Sequence, residues 1–150
     1  MDEAVAVVYV PPHEVPRYAP AIVPLLQRGE RYYRDTHGSH AALLELAKAG
    51  EVQTFVLRRG DGIGGVVLTE VVEAPCGRRV LRVVYVSAGD METLVRNMGA
   101  LDTVARALDC GLIEARARPG WRRLLHRHGY RTAWVVMRRR VENGRGQAAH

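Results

Sequence analysis

The stretch Arg116-Ala117-Arg118-Pro119-Gly120-Trp121-Arg122-Arg123-Leu124-Leu125-His126-Arg127-His128-Gly129-Tyr130 joins a strand to a short helix through a tight turn and closes on a helix-stop glycine. Just upstream, Leu112, Glu114, Arg116 and Arg118 alternate with Ile113, Ala115 and Ala117, the two-residue period of a strand running to Arg118. Pro119 and Gly120 turn the chain, and Trp121, Leu124, Leu125 and His128 fall at helical spacing. Gly129 suits the left-handed conformation just past a helix end, and Tyr130 leads into a last strand over Thr132 to Val141. Alternation of this kind commits the chain to packing helices against a sheet.

The remaining sequence extends the same alternation. Ala4 to Val10 reads as a first strand ending at Pro11-Pro12. Ile22, Val23, Leu25 and Leu26 supply the apolar side of a helix that Pro20 and Pro24 should start irregularly or kink. Arg28 to His37 is polar and is expected to be loop or frayed helix. Ser39 is placed to cap a second helix through Ala49, with Gly50 as its stop. Val52 to Arg59, Gly64 to Glu73 and Arg79 to Ser87 then form an antiparallel meander, turned at Gly60-Asp61-Gly62 and at Pro75-Cys76-Gly77. Asp90 caps one long helix whose apolar residues, Met91 through Leu108, keep helical spacing to Gly111. Gly99 inside that helix suggests close packing there.

These elements predict an α/β (α+β) fold with a mixed, mostly antiparallel central sheet of about six strands flanked by about four helices. At 150 residues and 47% hydrophobic, one domain over residues 1–142 is expected, followed by a polar Gly/Arg tail over 143–150 with nothing to bury. An acidic N-terminus and the lack of a long apolar run argue against a signal peptide or a membrane span. Cys76 and Cys110 match neither a disulfide framework nor a metal spacing and read as reduced thiols. His126 and His128, two apart on a helix, point to different faces, so no metal site is expected. Gly60-Asp61-Gly62-Ile63-Gly64-Gly65 lacks the following helix and lysine of a phosphate loop and reads as a hairpin.

The net charge of +6 is concentrated in arginines of the last third of the chain. Such a surface suits a CoA phosphate, an acidic protein or nucleic acid, the last not favoured because aromatic interleaving is poor.

The element order, together with the closing helix-Gly-aromatic-strand segment, resembles the GNAT superfamily of N-acetyltransferases over nearly the whole chain. Within it, the Arg118-Pro119-Gly120-Trp121 turn, the Leu124-Leu125 pair and Gly129-Tyr130 look most like small acetyltransferase-like proteins of tailed bacteriophages. The resemblance implies a pyrophosphate-binding Gln/Arg-x-x-Gly-x-Gly/Ala loop before the long helix, but the junction reads Ser87-Ala88-Gly89-Asp90-Met91-Glu92. That has one glycine, and two carboxylates that would repel a phosphate. It also implies a general-acid tyrosine four residues before the Gly-aromatic pair, where Leu125 stands, and an asparagine where Arg118 stands.

A substitute set can be assembled. Glu70 or Glu73 would act as general base and Tyr85 as acid, while Ser87, Ala88 and Gly89 would hold one phosphate with Arg122 or Arg123. The degenerate motifs put first a structural or assembly role in a phage virion, needing no cofactor, with phage structural proteins as partners in repeated copies. On that reading the protein sits in the host cytoplasm during assembly and then in the particle. The alternative is an acetyl-CoA-dependent N-acetyltransferase acting on an amine.

Overall fold

The computed structural model describes residues 4–142. Among the described residues five strands form one sheet in chain order: β1 (Val5–Val10), β2 (Gln53–Arg59), β3 (Gly62–Glu73), β4 (Arg79–Ala88) and β5 (Leu112–Ala115). The first four pair antiparallel, and β5 runs parallel to β4. Among the described residues the helices are α1 (Val15–Arg28), α2 (Glu30–His37), α3 (His40–Lys48), α4 (Met91–Arg96), α5 (Gly99–Ala107) and α6 (Arg122–Arg127). The mixed fold class and the three-strand meander follow the expectation from alternation.

Strand alternation divides the core into two layers. Val56, Val66 and Leu68 pack with Ile22, Leu26, Tyr33 and Leu43 of α1, α2 and α3. Phe55, Leu57, Val67, Leu81 and Val83 face the other way, against Leu94, Leu101 and Ala105 of α4 and α5.

One irregularity matters for the site. Leu68 of β3 lies opposite Tyr85, while Thr69 lies opposite Val83, so Val84 is an extra residue in β4. This bulge reverses the alternation. Leu81 and Val83 face α4 and α5, yet Tyr85, which strict alternation would place beside them, joins Val84 on the α1–α3 side.

Several boundaries differ from the expectations, each for a local reason. Residues 30–37 form α2 because Tyr33 is buried to 1% exposure, its hydroxyl donating to the Leu26 carbonyl at 2.8 Å; tertiary burial outweighs the polar composition. Pro20 and Pro24 lie within α1 on its exposed side, while Ile22, Leu25 and Leu26 are buried. The single long helix after Asp90 is two helices. Asn97 ends α4, with its side-chain amide donating to the Thr93 carbonyl at 2.7 Å. Gly99 opens α5, and a β-carbon there would meet nothing within 4 Å, so close packing is not its reason.

Strand β5 stops at Ala115 rather than Arg118. Pro119–Trp121 then makes a tight helical turn into α6, and Gly129 takes φ 89°, as its place past a helix end requires. Thr132 to Val141 does not form the sixth strand. Trp134 to Met137 is apolar at every position and three arginines follow, so no single strand face there is continuously apolar. Trp134, Val135, Met137 and Val141 stay exposed. The 143–150 tail lies outside the described residues.

Candidate functional site

Strands β4 and β5 pair only from Val80–Leu112 to Val83–Ala115, with a last link from the Arg116 N–H to the Val83 carbonyl at 3.4 Å. Beyond it β4 continues for five residues, Val84 to Ala88, while the other chain diverges. The wedge between them is a cleft of about 280 Å³, walled by these β4 residues, by Arg28, Gly29, Arg31, Tyr32, Thr36 and His37 around the α1–α2 junction, and by Arg116, Arg118 and Trp121. On this side Val84–Ala88 has a strand edge without a partner strand among the described residues.

The cleft wall is tight where α1 meets α2. Tyr85 donates its hydroxyl proton to the Leu25 carbonyl at 2.6 Å. Its ring stands edge-on to Tyr33 with centroids 4.9 Å apart. Burial, the largest cause, raises the Tyr85 phenol above its usual range. The proton expected to serve as general acid is thus directed into the core.

Three of the residues anticipated for catalysis or binding line the cleft: Tyr85, Ser87 and Ala88. Glu70 lies just behind it, with its Oε2 3.4 Å from Nε2 of His37, and His37 itself lines the cleft. Glu73 is exposed at the end of β3 opposite Arg79. Gly89 is outside the cleft lining, and its N–H donates to the Gly64 carbonyl at 3.3 Å. Arg122 and Arg123 are exposed on α6, and Arg122 Nε donates to the Thr132 hydroxyl at 3.0 Å. Leu125, at the place of the expected tyrosine, lines a separate apolar void of about 20 Å³ with Val83, Val95 and Met98.

At the start of α4 the Asp90 carboxylate is already engaged. Its Oδ1 accepts the Thr93 N–H at 3.1 Å and its Oδ2 the Thr93 hydroxyl at 2.6 Å. These two bonds, together with Arg59, hold Asp90 below the usual carboxylate range.

Residues 28–37 contribute groups that a loop assignment hides. Thr36 and His37 both line the cleft, and His37 Nδ1 is 2.8 Å from the Thr36 hydroxyl. Arg118 lies between two rings, its guanidinium carbon 4.5 Å from the centroid of Tyr32 and 4.5 Å from that of Trp121, with Nη1 donating to the Tyr32 hydroxyl at 3.0 Å. Arg31 donates to the same oxygen at 2.8 Å. That bond, with the nearby Arg118 charge, lowers the Tyr32 phenol from its usual value. The signal present in the sequence was the helical spacing of Tyr33 and His37 and of Glu30 and Arg34.

No protein-family model matches the sequence, and no curated protein matches it. Solved structures do. A ribosomal-protein-alanine N-acetyltransferase from Brucella melitensis biovar Abortus superposes with a TM-score of 0.63 at 14% identity, covering 92% of this chain and 99% of that one. The chain has the GNAT fold. Glucosamine-6-phosphate N-acetyltransferase from Arabidopsis thaliana shares that fold with a TM-score of 0.65 at 9% identity, over 93% of this chain and 100% of its own. An aminoglycoside N-acetyltransferase, AAC(6')-Iy in complex with CoA, matches with a TM-score of 0.63 at 10% identity, over 95% and 98%. Among the described residues no helix is long and apolar enough to cross a membrane, and no group of three His, Cys, Asp or Glu is placed to hold a metal.

Proposed function

We propose that this GNAT-fold chain is an N-acetyltransferase that uses acetyl-CoA and takes its acceptor amine at the α2 side of the cleft. The observation that carries the reading is the free edge of β4 from Val84 to Ala88 alongside the cleft. An unpaired strand edge offers alternating N–H and C=O groups to an extended ligand, and the two amides of the CoA pantetheine arm suit it. The start of α4 does not suit the CoA pyrophosphate, since Asp90 places a carboxylate there and the Gly89 N–H is spent on Gly64. When bound, acetyl-CoA would supply the acetyl group as an activated thioester.

As the acetyl C–S bond breaks and the C–N bond forms, the amine must give up a proton and the departing CoA thiolate takes one up. Glu70 at Nε2 of His37 favours the tautomer with hydrogen on that nitrogen, leaving Nδ1 to accept from the Thr36 hydroxyl, which lines the cleft and can pass it a proton from the acceptor. His37 is therefore assigned as the proton acceptor and Glu70 as its positioning residue. Tyr85, engaged with Leu25, serves the wall. Glu73 is exposed at the end of β3 and outside the cleft lining.

The GNAT neighbours favour acetyl transfer over the virion role that the degenerate motifs put first. Calorimetry with acetyl-CoA tests the choice. Saturable binding that is lost when bulk is added beneath β4, as in Val84→Trp, supports transfer. No heat at millimolar ligand removes it and leaves the structural role, for which mass spectrometry of purified phage particles is the direct measurement.

A further inference from the structure

Among the described residues five arginines line the cleft, Arg28, Arg31, Arg116, Arg118 and Arg138, and no aspartate or glutamate does. Elsewhere Arg34, Arg59, Arg82, Arg96 and Arg140 each have a carboxylate within 4 Å. None of the cleft arginines has such a partner among the described residues. Five arginines lining one cleft with no described carboxylate within 4 Å repel one another, and a single carboxylate would answer only one of them. A phosphate or pyrophosphate brings two or more charges and several acceptor oxygens in the geometry that guanidinium forks match.

Arg118 is the fixed member of the group. Held between Tyr32 and Trp121, with one nitrogen on the Tyr32 hydroxyl, it has its orientation set by the protein. The helix start that commonly receives phosphate in α/β folds is closed by Asp90 at α4. Cationic side chains thus share the cleft with the Val84–Ala88 edge, while the helix start that follows that edge is blocked.

We propose that Arg28, Arg31, Arg116 and Arg118, with Arg138 beside them, form a phosphate-binding site in the cleft that replaces the start of α4 as the anchor for a phosphorylated ligand. The site itself stands on its own charge and geometry; only the source of the phosphate rests on the acetyl-transfer reading. That source is either the nucleotide end of CoA or a phosphate on the acceptor amine.

The test is calorimetric titration of the full chain with inorganic pyrophosphate, for wild type, Arg118→Ala, Arg116→Ala and Arg123→Ala. Arg123 lies outside the cleft and controls for loss of one positive charge. Saturable one-to-one binding is expected, weakened about tenfold or more by either cleft substitution and left nearly unchanged by Arg123→Ala. Circular dichroism confirms that each variant is folded, and Arg116→Ala serves if Arg118→Ala is not. Absence of saturable binding, or equal weakening by Arg123→Ala, overturns the site. Competition by adenosine 3',5'-bisphosphate assigns the phosphate to CoA, and competition by glucosamine 6-phosphate alone assigns it to the acceptor; both support the site. Pyrophosphate binding in a protein that does not bind acetyl-CoA would reject acetyl transfer while retaining the anion site.

Discussion

Gly29 and the ring of Tyr85 are in such close register that a β-carbon on the glycine would lie 2.5 Å from Cε1 and 2.8 Å from Cζ of the tyrosine. Gly29 has φ −116°, which any residue adopts, so the constraint is one of space. The buried ring, fixed by Leu25 and Tyr33, has no room to retreat. Gly29→Ala is expected to destabilise the protein by about 1–3 kcal/mol, measured by urea denaturation. The loss should shrink in a Tyr85→Leu background, because residues in contact do not add independently. A simple sum of the two single effects would mean the clash is relieved elsewhere.

His37 and Glu70 should separate in kinetics. With an amine accepted by the wild type, His37→Ala is expected to lower kcat by about 10²–10⁴-fold with KM little changed. Glu70→Gln should lower it less, as befits a residue acting through the imidazole. Tyr85→Phe should cost stability and leave kcat nearly intact. Full activity in His37→Ala would remove the assigned base.

Glu30 joins α2 to α3. Its Oε1 accepts the His40 N–H and lies 3.0 Å from His40 Nδ1, and its Oε2 pairs with Arg34 at 2.9 Å. The bond from the His40 backbone, foremost, and then Arg34 hold the Glu30 carboxyl down to about 2 from an ordinary 4.5. A carboxyl depressed on folding stabilises the fold above its unfolded value and loses that contribution as pH falls through the folded one. Thermal melts should show this loss between about pH 4.5 and about pH 2. Glu30→Gln should flatten that part of the acid limb; an unchanged limb would show that other carboxylates govern it.

Asp90 predicts an ordering of variants. Asp90→Ser retains a capping oxygen for the Thr93 N–H and should melt close to wild type, whereas Asp90→Ala, without an acceptor, should melt lower. Both remove the Asp90 charge at the start of α4 and leave Glu92 in its first turn. If either restores that position as an anion site, pyrophosphate affinity should rise relative to wild type, and calorimetry measures it.

Much of the frame was legible because it rests on local periodicity. The β2–β3–β4 meander, the Ser39 and Asp90 caps and the Gly129 stop each depend on a few neighbouring residues. What escaped the sequence depends on distant contacts. Helix α2 exists because Tyr33 reaches Leu26 and Tyr85, and with it came His37, Thr36 and Tyr32. The side of the sheet that Tyr85 takes depends on the bulge at Val84, which no alternation pattern announces. Glu70 was singled out as a base, and its link to His37 became visible only once β3 and α2 were brought together. Arg122 and Arg123, expected to reach a phosphate from the neighbouring helix, lie outside the cleft, while the arginines that line it come from three separate segments.

The stacking of Arg118 between Tyr32 and Trp121 has a consequence for the entropy of recognition. A free arginine loses about 1.5–2 kcal/mol of rotamer freedom when it is ordered. Here that loss is incurred as the chain folds, so a ligand arriving at Arg118 meets a side chain already confined. The same arrangement ties the turn after β5 to α2, on opposite walls of the cleft. Moving the turn after β5 away from α2 would therefore unstack a cation from a ring.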